Sequence, residues 1–265
     1  MGMLISPSAV PTAAATLVVS AGVTAVYVFV GLRLSRRPVS PKTRLASAQF
    51  GLWWIGLGAS VALSGVEVGL AMLNALPFPL AETLYLVSII IDCAFLWGLV
   101  GALVYVYTGR YHLVELSVFY ASFYVVVLYY VIAQAPYGVA LIAGIPALEY
   151  STPPIIALSV VVILGILAPE IGGAILYLSL LRRTTDRTQR FRISMVGTSI
   201  LLWWALDVFV PSSTGSWVLA RTILEVIPGV LTIVAILPPG WVQRRLHVTS
   251  AQGPDYDPRE MLARP

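Results

Sequence analysis

The sequence predicts an all-α polytopic membrane protein, a seven-transmembrane-helix bundle with its N-terminus outside and its C-terminus inside. Three observations predict it. The 265-residue chain is 58% hydrophobic and 11% charged, where a soluble domain carries about 25% charged residues. Seven apolar runs, at 12–33, 46–73, 82–107, 113–134, 153–181, 193–210 and 217–238, approach or exceed the ~20 residues that a helix needs to cross a bilayer. Fifteen of the sixteen Lys and Arg residues collect in four short segments at the ends of, between or after those runs, and only Arg221 lies well inside one.

Each span has its own justification. Span 1 follows MGMLISPSAVPTAAATL, which has no positive n-region, so it reads as an uncleaved anchor rather than a cleaved signal peptide. The MGxxxS start fits an N-myristoylation pattern, but the charge bias places this end outside and sets that reading aside. Span 2 is long enough to tilt, and Gly65 and Gly69 give it a small-xxx-small face for close packing. LPFP at 76–79 leads into span 3, which ends before Arg110. Span 4 carries Phe119, Tyr120, Phe123, Tyr124, Tyr129 and Tyr130. That stripe reads as packing and lipid contact, or as a stacking wall for a flat ligand. The connection 135–152 is apolar but too short to cross, and reads as an interfacial loop or a lid. Spans 5 and 6 flank a basic loop, and VPSSTGS at 210–216 turns span 6 into span 7. No run alternates as a barrel strand does, and lipid leaves a helix as the way to satisfy the backbone.

Alternating these spans puts the basic loops 34–45, 108–112 and 182–192 and the end of the chain on one side, while the opposite connections carry no Lys or Arg. That is the positive-inside pattern of a multi-pass cell-membrane protein. Residues 1–245 then form one transmembrane domain. Residues 246–265, with GPDYDP at 253–258, read as a short disordered cytoplasmic tail. Arg36-Arg37, Arg44 and Trp53-Trp54 have parallels in Arg182-Arg183, Arg190, Arg192 and Trp203-Trp204. A 3+1+3 parallel repeat would produce such halves; topology alone explains the basic loops, so the Trp pairs are the added signal.

Away from the span ends lie Glu67, Asp92, Glu170, Asp207, Arg221 and Glu225. A charge at mid-bilayer costs at least ~2.5 kcal/mol, so each needs a partner or a function. Counting from the 6–7 turn brings Asp207 and Arg221 to similar depth near the outer face, and Glu225 follows Arg221 at i+4. An Asp207–Arg221–Glu225 group suits arginine, which stays charged and offers several donors. It reads as a brace between spans 6 and 7 or as a polar site with Glu67 or Asp92 opposite. Asp92 reads equally as a proton or cation site and as a protonated group bonded to a neighbouring helix. Glu170 follows Pro169, and Pro228-Gly229 follows Glu225 by one turn. Both prolines read as helix kinks beside carboxylates.

The same residues exclude several chemistries. Lys42 is the only lysine and lies in a loop, so no helix can carry a retinal Schiff base. His112 and His247 lie at or beyond the inner edge, leaving a buried haem or zinc without ligands. No P-loop or nucleophile–base motif stands out, so no enzyme activity, catalytic residue, metal or cofactor is expected. The basic segments are short and juxtamembrane, so nucleic acid is not an expected partner; the lipid bilayer is.

FGLWWIGLG at 50–58 and LWGLVGALVYVYTGR at 96–110 resemble the seven-helix sensor regions of prokaryotic histidine kinases. The resemblance implies sensing by the bundle. Only a short segment and no kinase follows span 7 here, so output would pass to a separate membrane or cytoplasmic signalling partner. The sequence thus points to a sensor or receptor-like protein with a polar cluster near the outer face. The alternatives are a small proton- or cation-coupled transporter and an accessory subunit of a membrane complex.

Overall fold

The computed structural model describes residues 9–36, 43–133, 138–142, 145–149, 168–209 and 215–246. The chain is helical, with α1 (Val10–Ser35), α2 (Arg44–Met72), α3 (Phe78–Thr108) and α4 (Leu113–Ala133), then α5 (Ala168–Arg183), α6 (Arg187–Phe209), α7 (Gly215–Leu224), α8 (Val226–Ile236) and α9 (Gly240–Leu246). Prolines stand in the first turns of α1 and α3, where a missing N–H costs nothing. Gly109 ends α3 at φ 71°, its N–H bonding the Tyr105 carbonyl, a left-handed stop that glycine adopts without strain. Asn74, at φ 55°, makes the turn from α2 to α3.

One element departs from the all-α expectation. The connection read as an interfacial loop or lid holds two short strands, β1 (Gly138–Ile142) and β2 (Ile145–Glu149), paired antiparallel with Gly138 opposite Glu149. Pairing satisfies the backbone groups on the facing edges of the two strands, and β2 lies against α2.

Among the described residues, three helices are long and apolar enough to cross a membrane: Val10–Ser35, Arg44–Met72 and Leu219–Ile236, the last running through α7 and α8. Large apolar side chains face outward along the bundle, Val18 at 72% exposure and Val114, Val118, Val125 and Ile175 with it. A water-soluble surface rarely carries so much exposed hydrocarbon, so a membrane protein is the physical reading.

The α1–α2 seam is the closest in the fold. Gly51, Gly58 and Gly65 recur every seven residues on α2 and face Gly31, Tyr27 with Thr24, and Ser20 on α1. A Cβ on Gly31 would stand 2.5 Å from the Gly51 carbonyl oxygen, so backbone meets backbone there. A seven-residue period keeps one face toward the partner helix along its length. Gly65 belongs to this stripe as the small-xxx-small reading expected; Gly51 and Gly58 carry its tighter part. On the other side of α2, a Cβ on Gly98 of α3 would stand 2.5 Å from the Gln49 carbonyl oxygen, and Gly56 accommodates Phe95. Gln49 is 1% exposed, and neither atom of its side-chain amide has a hydrogen-bond partner among the described residues.

The core gathers around Tyr27. Its ring meets Trp54 edge-on at 5.1 Å and Trp203 at 5.6 Å, an arrangement that the aromatic quadrupoles favour. Trp53, Trp54 and Trp203 thus lie in one cluster. On α4, Tyr120 is buried and Phe119 exposed, so that stripe divides between packing and outward contact; the side chains of Tyr129 and Tyr130 lie outside the described residues.

One contact between α1 and α2 has a counterpart between α5 and α6. Gly51 packs on Gly31, and Gly197 packs on Tyr177. A shift of 146 positions superposes both contacts and also Arg36-Arg37 on Arg182-Arg183 and Arg44 on Arg190. The Trp pairs need a shift of 150, one helical turn more, and so are not equivalent positions. Leu34, Thr43, Val106, Leu180, Arg192 and Ile236 line one cavity. The described parts of all four basic segments therefore sit at the same end of the bundle.

Candidate functional site

Span 7 is two helices. The helical run pauses at Glu225 between α7 and α8, because Pro228 has no N–H to give the Leu224 carbonyl four residues back. The interruption expected at Pro228 is one of hydrogen bonding, and Glu225 itself keeps helical angles, φ −60° and ψ −19°. Pro169 stands in the first turn of α5, and the residues before Ala168, on which a kink there depends, lie outside the described set.

Three hydroxyl side chains gather at the pause, from α1, α6 and α8. The Tyr27 hydroxyl of α1 donates to the Glu225 carbonyl. The Ser199 hydroxyl of α6 donates to the Pro228 carbonyl at 2.8 Å, and the Thr232 hydroxyl of α8 lies 3.0 Å from Ser199 Oγ and 3.1 Å from the Pro228 carbonyl. All three residues are buried. Gly229 completes the junction: a Cβ there would stand 2.5 Å from Val26 Cγ1 and 2.9 Å from the Tyr27 ring. These bonds go to the Glu225 and Pro228 carbonyls and tie α1 and α6 to the junction.

Arg221 lies one turn before the pause. Its Nε is 3.0 Å from Glu225 Oε1, with side-chain exposures of 23% and 10%. The pair expected from i,i+4 spacing forms, and it sits where the helix breaks. The third expected member, Asp207, is on α6, which runs antiparallel to α8 through the Ser199–Pro228 bond. That register carries the Asp207 backbone to the level of Arg221; its side chain lies outside the described residues, as does that of Asp92. Glu67 is half-buried on α2, and no ion pair among the described residues joins it to Arg221.

Glu170 belongs to another place. It is 1% exposed at the start of α5, and the Tyr177–Gly197 contact puts it near the level of Trp204 on α6. Among the described residues, no group of three His, Cys, Asp or Glu side chains could hold a metal ion.

No family model, curated protein or solved structure matches this chain. Function must therefore be read from the junction itself. It joins a cation, a carboxylate, three hydroxyls and a pause in a helix, within one contact shell shared by α1, α6, α7 and α8.

Sequence reading found the two charged members and the proline of this site, and missed Tyr27, Ser199 and Thr232. A lone serine or threonine in an apolar run is the available signal, since hydroxyls in such helices seek a neighbouring backbone. Many positions share that signal, and only packing selects among them.

Proposed function

We propose that the chain is a seven-helix sensor or receptor-like integral membrane protein, N-terminus outside and C-terminus inside, whose state is set at the α7–α8 junction. The observation that supports this most is the Arg221–Glu225 pair at a helix pause held by Tyr27 and Ser199. A ligand carrying charge or hydrogen-bonding groups competes for the pair, and breaking the pair frees the pause to bend. Bending α8 moves the basic end of the bundle, where a cytoplasmic or membrane partner would read it. Four basic segments on one side support the orientation.

Isolation of the native protein from its own membrane tests the proposal. A signalling partner is expected to copurify, and Arg221→Leu is expected to insert normally while losing activation of that partner. Copurification with the subunits of a membrane enzyme complex, unchanged by Arg221→Leu, would instead make the chain an accessory subunit.

One observation favours a second reading, a proton- or cation-coupled carrier: Glu170 is a fully buried carboxylate beside Pro169. In that case Glu170→Gln is expected to abolish ion or proton flux in proteoliposomes. Flux equal to wild type would remove Glu170 from any transport role.

A further inference from the structure

A second site lies at the basic end of the bundle, far from Arg221. Arg221 precedes Ile236 by about four turns of helix, roughly 22 Å, and Ile236 lines a cavity of about 150 Å³. Its walls come from α1, α2, α3, α5, α6 and α8, and are largely apolar, with Phe50, Tyr105 and Tyr177 as the aromatic members and Ala46 and Ala235 filling between them. Among the described residues, Arg192 is the only charged one in the lining, and its Nε is buried.

Size, surface and charge together restrict the occupant. A cavity of about 150 Å³ with apolar walls is large enough for one benzene ring. Phe50, Tyr105 and Tyr177 offer ring faces and edges to a flat aromatic body. A guanidinium in a wall of low polarity attracts an anion more strongly than it would in water, and its planar fork matches a carboxylate. We infer that this cavity binds a small aromatic carboxylate, of about the bulk of benzoate, with its ring among the three aromatic side chains and its carboxylate on Arg192. The cavity also touches the first junction. Thr232 lines it and holds Ser199 at the α8 pause, so an occupant contacts the helix whose bend the outer pair controls.

Benzoate is the probe, with benzyl alcohol as its neutral counterpart. Both are titrated into the full-length protein in nanodiscs of zwitterionic phosphatidylcholine, with binding followed by calorimetry and by the shift in unfolding temperature. Benzoate is expected to bind and to raise the unfolding temperature, with benzyl alcohol weaker by on the order of tenfold or more, the loss of one charge-assisted contact. Arg192→Gln is expected to lower benzoate affinity to that of benzyl alcohol. Ala46→Leu fills the cavity without touching the charge, and is expected to abolish binding of both probes while leaving the unfolding temperature at or above that of wild type. Equal binding of the two probes, or benzoate binding that survives both substitutions, would overturn the assignment. Stabilisation that comes from anionic phosphatidylglycerol in the nanodisc, with benzoate adding nothing, would assign the cavity to lipid and overturn it too.

Discussion

Gly51→Leu is expected to prevent α1 and α2 from packing, with loss of the folded state. A Cβ at position 51 would lie 2.6 Å from the Gly31 carbonyl oxygen and 3.0 Å from the Ser35 nitrogen. Both obstacles are backbone, which no rotamer change can clear. Overpacking a well-filled site costs about 1–3 kcal/mol where side chains can shift, and a backbone clash on the tightest seam of the bundle exceeds that range. Gly22→Leu is the matched control. Gly22 lies on the partner helix α1 with nothing within 4 Å of its would-be Cβ, so its leucine variant is expected to fold as wild type. Monodisperse elution and thermal unfolding in detergent separate the two. Wild-type behaviour of Gly51→Leu would mean that the helices do not meet along the glycine stripe.

Arg221→Leu carries the second large effect, and its direction depends on Glu225. Removing the guanidinium leaves the carboxylate 10% exposed in a mainly apolar surround, and an uncompensated buried charge costs about 3–5 kcal/mol. Removing both charges is far milder, because hydrophobic residues of similar volume often replace a buried ion pair at little cost. The expected order of unfolding temperatures in nanodiscs is therefore wild type close to Arg221→Leu/Glu225→Leu, with Arg221→Leu well below both. The double variant then separates structure from function. If the pair is only a brace, a stable double variant keeps its output. If the pair is the point of recognition, the double variant is stable and silent, as proposed above.

The limits of the sequence follow from what each signal measures. Helix positions were legible because an apolar run is a local property: α1, α2 and α4 begin and end within two residues of the expected spans. The strands Gly138–Ile142 and Ile145–Glu149 were not legible, since their residues do not alternate between apolar and polar. The Arg221–Glu225 pair was legible because i,i+4 spacing on one helix leaves little freedom. Tyr27 and Ser199 were not, because each acts on a residue of a different helix, and sequence separation gives no hint of that contact. The Trp pairs, read as the added signal of a repeat, stand one turn out of register with the parallel Gly31–Gly51 and Tyr177–Gly197 contacts, since similar composition on a helix does not require equivalent positions.

By itself, the sequence determined a helical, membrane-type chain, the clustering of its basic residues, and an arginine among carboxylates in an apolar span. These follow from composition and period, which act residue by residue along the chain. Only the tertiary structure decided that a heptad of glycines on α2 closes on α1, that hydroxyls from α1 and α6 hold the pause beside Arg221, and that Arg192 opens onto an aromatic cavity at the far end. Those features depend on which helix faces meet and at what height. In a bundle whose helices are apolar on every side, periodicity does not choose those faces; close packing does.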